Sequence, residues 1–327
     1  MENNMKISVA LCTYNGETFI EEQLKSILEQ TVPVTEIVIF DDASSDATIS
    51  KIKKIDQKSP GIIRLFHNKS NVGFCENFEK ALTECDGDYI FFSDQDDIWH
   101  CDKVEKIVLY LTKTGKYGVF TNGDLIDRDG NKLGTTLFDT FIVNNFLSST
   151  HDYPELFAML CFNENFVTGA TLAIKKEGKN IVLPFRTSES IYHDHYIALK
   201  LSAIGKLGYM NDCLISYRIH PGQQTGMGKY IAERKCLYDI YHGCNLADKD
   251  SIDSLCDFII TRRVGTIDII RTCCFNYSQR VVLIKWYVRI LFPLIFKLRL
   301  SKIWKYLKWY IHIEWKVLQS GKRYFYS

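Results

Sequence analysis

Short apolar runs alternate with segments of helical periodicity through the first 120 residues, and this alternation constrains the fold more than any other feature of the sequence. The predicted strands are 6–12, 36–40, 62–66, 88–93 and 117–122. The predicted helices are 17–30, a segment marked by Ile49, Ile52 and Ile55, then 77–85 and 102–113. Alternation at this spacing indicates βαβ units, and hence a mostly parallel sheet covered on both faces.

The first predicted helix shows the pattern most clearly. Four apolar residues of the segment 17–30 recur on one helical face, namely Ile20, Leu24, Ile27 and Leu28. Thr18 and Glu21 have the spacing of a capping box, which predicts that the helix begins near Thr18.

Polar side chains come directly after four of the predicted strands. They are Thr13, Tyr14 and Asn15 after the first strand, Asp41 and Asp42 after the second, Asn68 and Asn71 after the third, and Asp94, Asp96 and Asp97 after the fourth. Ligands of parallel α/β sheets bind beyond the carboxyl ends of the strands. The sequence therefore predicts a binding site at this edge, with its carboxylates close together.

The triplet Asp94, Gln95 and Asp96 is a DxD sequence. At a strand end, this spacing lets one carboxylate ligate a divalent cation while the other bonds a ligand hydroxyl or a metal-bound water. Oxygen ligands with few protein contacts suit Mg²⁺ or Mn²⁺. A solvated surface loop is the alternative, but acids gathered at one edge repel each other unless a cation or hydrogen-bond donors offset them.

Other phosphate-binding motifs are missing from the sequence. There is no GxGxxG, and PGQQTGMGK differs from a Walker loop at Gln223, where a Gly is needed, and at Tyr230, where Ser or Thr should follow Lys229. His193 and His195 of YHDHY suggest zinc, but two histidines without a third ligand nearby fall short of a zinc set.

Four stretches, in order and in register, resemble the family 2 glycosyltransferases, most of all a bacterial branch that includes rhamnosyltransferases of surface polysaccharide assembly. They are TYNG at 13–16, FDDASSDAT at 40–48, NVGFCENF at 71–78 and SDQDDIW at 93–99. The resemblance covers roughly residues 5–225. It implies the GT-A fold, which is an α/β fold with a Rossmann-like central sheet and flanking helices.

The resemblance also implies a role for each matching position. Donor-binding roles fall on Thr13 and Tyr14 in the base pocket, Asp42 at the uracil or thymine edge, Asn71 and Asn77 in the sugar-nucleotide pocket, and Asp94 at the ribose. Asp96 would ligate the Mn²⁺ or Mg²⁺ that bridges the diphosphate, and Asp97 and Trp99 complete the same motif. Trp99 has a structural role as its alternative.

Three later positions match the family less tightly. Asp194 stands where the family places its catalytic base, and His220 matches a histidine that often completes the metal site. An ordinary polar turn is the alternative for Asp194. Gly169 either lets the backbone approach the acceptor or marks a strand bulge. Relatives often have Asn where this chain has Gln223 and Gln224, which puts the acceptor-side contacts in question.

The carboxyl-terminal part differs from the rest in charge. From Arg280 onward, eleven Lys and Arg accompany the single acid Glu314, so 280–327 carries +10 and the preceding residues carry −9. Charges interrupt its apolar residues, so a transmembrane span is not predicted. An interfacial segment on an anionic leaflet is favoured over a helical hairpin packed on the body or a dimer interface. Nucleic acid is disfavoured because the segment is so apolar.

These features predict a GT-A catalytic domain in 1–228 and a helical extension in 229–327. No secretory signal is visible and the eleven cysteines form no CxxC pair, which predicts a cytoplasmic protein, peripheral at the inner face of the plasma membrane. The resemblance implies inverting, metal-dependent transfer of a sugar from a dTDP- or UDP-linked donor, rhamnose being one candidate, to a lipid-linked saccharide acceptor. The alternatives are a nucleotidyltransferase on a similar sheet and a non-catalytic sugar-nucleotide-binding scaffold. TYNGETF lacks the positive charges that a nucleotidyltransferase needs, and Asp94, Asp96 and Asp194 argue against a scaffold.

Overall fold

The computed structural model describes residues 5–141, 143–149, 153–162, 165–188 and 191–223, together with 269, 273 and 279. Its first part repeats strand and helix as β1 (Ile7–Thr13), α1 (Ile20–Leu28), β2 (Glu36–Asp41), α2 (Thr48–Asp56), β3 (Ile63–His67), α3 (Phe74–Glu84), β4 (Tyr89–Ser93), β5 (Ile98–Trp99) and α4 (Lys103–Thr114). The first four strands lie within one residue of their predicted bounds at each end.

The second part is less regular. It contains β6 (Gly118–Ile126), β7 (Lys132–Thr136), α5 (Leu137–Thr140), α6 (Asn144–Ser149), α7 (Tyr153–Phe162), a 3₁₀ turn (Gly169–Thr171), β8 (Ala173–Lys175), α8 (Lys176–Val182), α9 (His193–Ser202) and β9 (Leu207–Arg218). The predicted strand 117–122 is the first half of β6. The short β5 and β8 were not separated from their surroundings by the sequence pattern.

The strands form one sheet in the order β3-β2-β1-β4-β8-β6-β9-β5, with β7 beside β6. Strands β1 to β4 pair in parallel, as predicted. The other half is mixed, because β8 runs antiparallel to both β4 and β6, and β5 runs antiparallel to β9. The predicted parallel arrangement therefore describes the first four strands, and the fold as a whole is α/β with a mixed sheet.

The antiparallel entry of β8 has a consequence for the site. Leu172 O accepts a hydrogen bond from Phe92 N at 3.1 Å, and Ala173 pairs with Phe91. Because β8 runs against β4, the 3₁₀ turn that precedes β8 lies at the carboxyl end of β4, where the DxD sequence begins. Similarly, Ser216 of β9 pairs with Ile98, so the end of β9 meets the same region.

Helix α1 begins two residues after the predicted start. Its first helical residue is Ile20, the preceding Phe19 makes no side-chain cap, and the N–H groups of Phe19 and Ile20 both donate to Gly16 O at 3.1 Å. The predicted capping box of Thr18 and Glu21 is therefore wrong. A backbone turn closed on Gly16 satisfies the N–H groups that the box would have served.

Burial explains why the edge of the sheet is a firm platform. All seven residues of β1 are buried, and so are five of the six residues of β2. Strands covered on both faces read as continuous apolar runs, and close packing fixes the positions of the residues that leave their ends. Among the described residues, no helix has both the length and the apolarity to cross a bilayer. The predicted extension 229–327 lies outside the described residues except at 269, 273 and 279.

Candidate active site

The loops after β1 and β2 are bonded to each other. Asn15 N donates to Ser44 Oγ at 2.9 Å, and Asn15 Oδ1 accepts from Ser45 N at 2.9 Å. Three further bonds join the loops, from Gly16 N to Thr48 Oγ1, from Glu17 N to Asp46 Oδ2 and from Ala47 N to Glu17 Oε2. Asn15 and Ala43 have φ values of 49° and 64°, a conformation that costs free energy outside glycine. The bonds between the loops offset that cost.

Asp41 and Asp42 are buried and fully hydrogen-bonded. Asp41 accepts from Thr13 Oγ1 at 2.8 Å, from Ser44 N at 2.8 Å and from Ser44 Oγ at 2.5 Å, and lies 2.9 Å from His67 Nδ1. Asp42 accepts from Asn68 Nδ2 at 2.9 Å and from the N–H groups of Val72 and Gly73 at 2.8 and 2.9 Å. These two carboxylates therefore order the surrounding loops.

The other predicted donor-binding residues fall into two groups, one buried and hydrogen-bonded within the protein and the other exposed. Thr13 is buried with its hydroxyl on Asp41, and Asn77 is buried with Nδ2 on Phe40 O and Oδ1 on Asn68. Asn71 is exposed, and its Oδ1 accepts from Gly73 N. Tyr14 is 37% exposed at the edge of the sheet. Tyr14 and Asn71 thus present side chains outward, whereas direct donor contacts of Thr13, Asp42 and Asn77 stay predictions.

The acid loop, residues 94–97, differs from the Asp41–Asp42 pair because its carboxylates have few donors. Burial, and then the negative charges of Asp96 and Asp194, raise the pKa of Asp94 to about 7. Burial raises the pKa of Asp97 well above its usual range, and its Oδ2 is buried without a hydrogen-bond partner. Asp94 lies near enough to Asp96 and Asp194 for their charges to raise its pKa, and this repulsion favours binding of a cation beside the acid loop.

Two residues at the end of β9 hold the acid loop. Arg218 is 2% exposed and donates from Nε to Asp96 O at 2.8 Å, while its backbone N donates to Asp97 Oδ1 at 3.0 Å. Its guanidinium also pairs with Glu22 at 2.6 Å. His220 Nε2 lies 2.8 Å from Asp96 Oδ2, so the two predicted metal ligands adjoin.

Gln95, the middle residue of the DxD sequence, joins the acid loop to the loop after β1. Its Oε1 accepts from Tyr14 N at 2.8 Å, and its Nε2 donates to Tyr14 O at 3.0 Å. A Cβ on Gly16 would lie 2.1 Å from Gln95 Oε1, so a side chain there would displace the Gln95 amide from Tyr14. The backbone of Tyr14 is thereby fixed relative to the acid loop.

Asp194 begins the first turn of α9. Its Oδ1 accepts from His195 N at 2.6 Å and from Asn165 Nδ2 at 3.1 Å, and its Oδ2 accepts from Gly169 N at 3.2 Å. Burial raises the pKa of Asp194 to about 6 although these donors lower it. A carboxylate with such a pKa is ionised at neutral pH and basic enough to accept a proton.

The surroundings of Asp194 include Gly169 and the two histidines that suggested zinc. Gly169 is the first residue of the 3₁₀ turn, and a Cβ there would lie 2.9 Å from His193 Nε2. His193 stacks on Phe78 at 4.1 Å between ring centroids, and neither of its ring nitrogens has a hydrogen-bond partner. His195 Nε2 lies 2.8 Å from Leu160 O. Both histidines are therefore packed into the core, and of the three residues only Asp194 acts electrostatically on Asp94 of the acid loop.

The chemistry of the donor set fits a divalent cation. Asp96 Oδ2 and His220 Nε2 converge, and the repelling carboxylates of Asp94 and Asp97 lie on the same loop. Within the described ranges, no group of three or more His, Cys, Asp or Glu could hold a metal by itself. A cation here would thus take its remaining ligands from water or from a bound diphosphate, as Mg²⁺ and Mn²⁺ commonly do.

Sequence reasoning missed several residues that shape the site. They are Arg218 and Glu22 behind the acid loop, Gln95 on Tyr14, Asn165 on Asp194, and Lys103, whose ammonium is buried near Asp94 and Asp97. The available signal was weak: Arg218 lies two residues before His220, and Lys103 follows Trp99 by four. Gln223 folds back to Arg218 O, so in this structure it supports the loop from within.

Comparison with known proteins agrees with this geometry. The family model described as glycosyl transferase family 2 matches residues 8–179. The glycosyltransferase TuaG of Bacillus subtilis, named for teichuronic acid biosynthesis, is 31% identical over 239 residues, which cover 71% of this chain and 86% of TuaG. The dTDP-rhamnosyl transferase RfbG of Shigella flexneri is 41% identical over 102 residues, covering 30% of this chain and 35% of RfbG.

One further relative and two solved structures complete the comparison. The UDP-Glc:alpha-D-GlcNAc-diphosphoundecaprenol beta-1,3-glucosyltransferase WfgD of Escherichia coli is 30% identical over 128 residues, covering 37% of this chain and 49% of WfgD. S. aureus TarS 1–349 with UDP-GlcNAc has a TM-score of 0.54 at 17% identity, covering 88% of this chain and 73% of that one. The mannosyltransferase PcManGT of Pyrobaculum calidifontis with GDP-Man and Mn²⁺ has a TM-score of 0.51 at 16% identity, covering 89% and 85%. The structural likeness shows the GT-A fold.

Proposed function

The chain belongs to glycosyl transferase family 2 and is a glycosyltransferase, and from this premise we propose that it transfers a sugar with inversion from a nucleotide donor to a lipid-linked saccharide of a bacterial surface polysaccharide. The observation that carries the proposal is the position of Asp194. Its carboxylate is held by three donors, has a pKa of about 6, and lies near enough to the acid loop for its charge to raise the pKa of Asp94.

The donor would bind along the acid loop. Gln95 ties the Tyr14 backbone to the acid loop and the Tyr14 side chain is exposed, which supports a base stacked near Tyr14 and a ribose hydroxyl bonded to Asp94. Asp42 would act indirectly, because its bonds to Val72 and Gly73 shape the loop that carries Asn71. Thr13 and Asn77 would support the same loops from below.

Asp96 and His220 would hold Mn²⁺ or Mg²⁺, and a bound cation would offset the negative charge that grows on the departing nucleoside diphosphate. Asp194 would take the proton from the acceptor hydroxyl as its oxygen attacks the anomeric carbon from the face opposite the leaving group. Gly169 N, Asn165 and His195 N keep that carboxylate oriented. One displacement inverts the configuration, so the protein needs no second carboxylate as a nucleophile.

Relatives support the nucleotide and acceptor classes in the proposal. RfbG is named for dTDP-rhamnose, and WfgD is named for UDP-Glc and a diphosphoundecaprenol-linked acceptor. The expected donor is therefore a dTDP- or UDP-sugar, with rhamnose as one candidate. The expected acceptor is an undecaprenyl-type lipid carrying a saccharide.

Thermal stabilisation by sugar nucleotides tests the donor class. UDP-Glc, UDP-Gal, UDP-GlcNAc and dTDP-rhamnose are compared with and without Mn²⁺, since a ligand that binds only the folded state raises its apparent stability. We expect one of them to raise the Tm only when Mn²⁺ is present, and Asp96→Ala to lose that dependence. If no sugar nucleotide raises the Tm, or if Asp96→Ala transfers sugar normally, the donor and metal assignments fail.

A lipid-linked acceptor agrees with the composition of 280–327. We propose that this segment lies on the inner leaflet of the plasma membrane, and that residues 1–228 form the catalytic domain. Eleven Lys and Arg among aromatic and aliphatic residues favour contact with an anionic surface. Full-length protein should co-sediment with vesicles that contain phosphatidylglycerol and not with neutral vesicles. Replacing Lys302, Lys305 and Lys308 with Gln should weaken this binding, and equal binding to both vesicles would contradict the proposal.

A further inference from the structure

Lys103, the first residue of α4, carries an ammonium group that the proposed reaction does not use. Its side chain is 0% exposed. Nζ donates to Ala170 O at 2.7 Å and lies 4.0 Å from the centroid of the Trp99 ring. Because it has no exposed surface, Lys103 cannot touch a donor or an acceptor in this structure.

The position is costly for a cation in two ways. Burial disfavours the charged form and lowers the pKa of Lys103 to about 7, although Asp97 and Asp94 raise it. The amino terminus of a helix also carries a partial positive charge, which repels a cation in its first turn. Apolar volume alone would be supplied more cheaply by methionine or leucine. The lysine therefore needs a reason other than filling the core.

The partners of Lys103 come from the two halves of the site. Asp94 and Asp97 of the acid loop attract the ammonium from one side. Ala170 O, on the other side, belongs to the 3₁₀ turn Gly169–Thr171. Gly169 of that turn donates its N–H to Asp194 Oδ2. Lys103 Nζ is thus bonded to the turn that orients the base, and its charge is attracted over a longer distance by the loop assigned to the donor.

We propose that Lys103 is a positioning residue that sets the acid loop and the Asp194 turn in register, so that the base and the donor meet at the correct distance. The inference rests on the proposed function for the meaning of that register. The tie itself consists of the Nζ–Ala170 O bond and the attraction to Asp94 and Asp97. It acts on transfer through Asp194 and leaves the surfaces that bind the nucleotide in place.

Hydrogen exchange tests the tie without any donor. In full-length Lys103→Met, amides of the segment 168–172 should exchange at least about tenfold faster than in the wild type, because the turn loses a buried partner. Amides of β1 and β2 serve as the internal control and should be unchanged. Lys103→Arg, which keeps the charge and the donors, should restore part of the protection. Uniform acceleration in all segments of both variants, or no change in 168–172, would overturn the proposal.

A double-mutant cycle then tests the effect on transfer. With the donor found by thermal stabilisation, Lys103→Met should lower kcat about 10- to 100-fold while the Kd for the nucleoside diphosphate with Mn²⁺ stays within about threefold. In the Asp194→Asn background, the same change should lower kcat less than about threefold, since its effect passes through Asp194. Equal losses in both backgrounds, or a Kd that weakens in parallel with kcat, would refute the positioning role. Should no donor be found, the proposed function fails, while the exchange experiment still decides whether the tie exists.

Discussion

Two acidic pairs lie at the ends of β2 and β4, the two strands on either side of β1, and their surroundings are opposite. Asp41 and Asp42 after β2 accept hydrogen bonds from hydroxyls, an amide and backbone N–H groups. Asp94 and Asp97 after β4 are also enclosed, but burial and the neighbouring carboxylates raise their pKa values. Aspartates at the same edge of the sheet are therefore in two different electrostatic environments.

This difference distinguishes carboxylates that stabilise the loops from carboxylates that can bind a cation or react. A buried carboxylate with several donors is stable without a ligand, and it fixes the backbone that supplies those donors. A buried carboxylate with too few donors to offset its burial stores unfavourable electrostatic energy that a cation can relieve. The Asp41–Asp42 pair belongs to the first class, and the acid loop belongs to the second. Asp194 lies between them, with three donors and a pKa of about 6.

The largest expected effect comes from Asp194→Asn, which tests whether a partly satisfied carboxylate is the reactive one. The amide still fills the space but cannot take a proton, so the rate of transfer should fall about 10²- to 10⁴-fold. Steady-state transfer and calorimetric titration of the nucleotide with Mn²⁺ measure the two quantities. Nucleotide affinity should stay within about threefold. Near-normal transfer would move the base to another residue.

Opposite effects on stability should follow from matched Asp→Asn changes in the two acidic pairs. Asp42→Asn places an amide N–H against the N–H groups of Asn68, Val72 or Gly73, which should cost about 2–4 kcal/mol of unfolding free energy. Asp94→Asn removes a repelling charge and should leave stability unchanged or raise it. Denaturant unfolding in EDTA measures both. A loss at Asp94 as large as that at Asp42 would erase the distinction between the pairs.

The sequence could predict one side of this comparison better than the other. Apolar runs in β1 to β4 placed every acid at the correct edge, because the period of a buried strand is readable without tertiary information. It could not predict that Asp42 would be satisfied, since two of its donors are backbone N–H groups that leave no side-chain signal. The acids therefore looked alike until their surroundings were known.

The second half of the fold was hidden for a related reason. The sequence pattern of 166–175 does not separate the 3₁₀ turn Gly169–Thr171 from the strand Ala173–Lys175 that follows it. Its antiparallel entry beside β4 depends on long-range pairing, which brings the Asp194 turn to the acid loop. Arg218 was similarly unreadable, because a buried arginine is recognised only by the carbonyls and the carboxylate that receive its N–H groups.

The pH dependence of transfer should follow Asp194 as the ionised base. With a folded pKa of about 6 against 3.8 for an unperturbed carboxyl, the transfer rate should fall about tenfold per pH unit below about pH 6. The same shift means that protonated Asp194 favours the folded state below about pH 4, and that this contribution is lost as the pH rises through about 6. The unfolding free energy of Asp194→Asn relative to the wild type should therefore rise as the pH increases from about 4 to about 6, beyond the constant cost of an amide N–H placed against the three donors. A kcat profile that stays flat down to pH 5 would contradict the assignment.

Gly169→Ala is expected to have a smaller effect because it perturbs Asp194 only through its surroundings. The added Cβ would lie 2.9 Å from His193 Nε2, so the turn or the ring must shift. We expect a loss of about 1–3 kcal/mol in unfolding free energy and about tenfold in kcat, measured by denaturant unfolding and transfer assays. Gly178→Ala, where the atoms nearest to a Cβ belong to Tyr117 at 2.8 Å and Ile174 at 3.4 Å, is the matched control. It should lower stability without a comparable fall in the kcat of the folded fraction.

The smallest effect is expected at Gln95, which joins the acid loop to the loop after β1. Gln95→Ala removes both bonds to Tyr14 and leaves Asp94 and Asp96 in place, so the Tyr14 ring should become less well positioned for a nucleotide base. The Kd for the nucleoside diphosphate with Mn²⁺ should weaken about 3- to 10-fold, while kcat at saturating donor stays within about twofold, because only binding of the base is affected. Gln95→Glu keeps the acceptor for Tyr14 N but loses the donor for Tyr14 O, and it adds a fourth negative charge to the acid loop. If Gln95→Ala lowers kcat and leaves the Kd unchanged, the bonds between Gln95 and Tyr14 serve the reacting centre directly. The acid loop and the loops held by Asp41 and Asp42 would then not have separate roles.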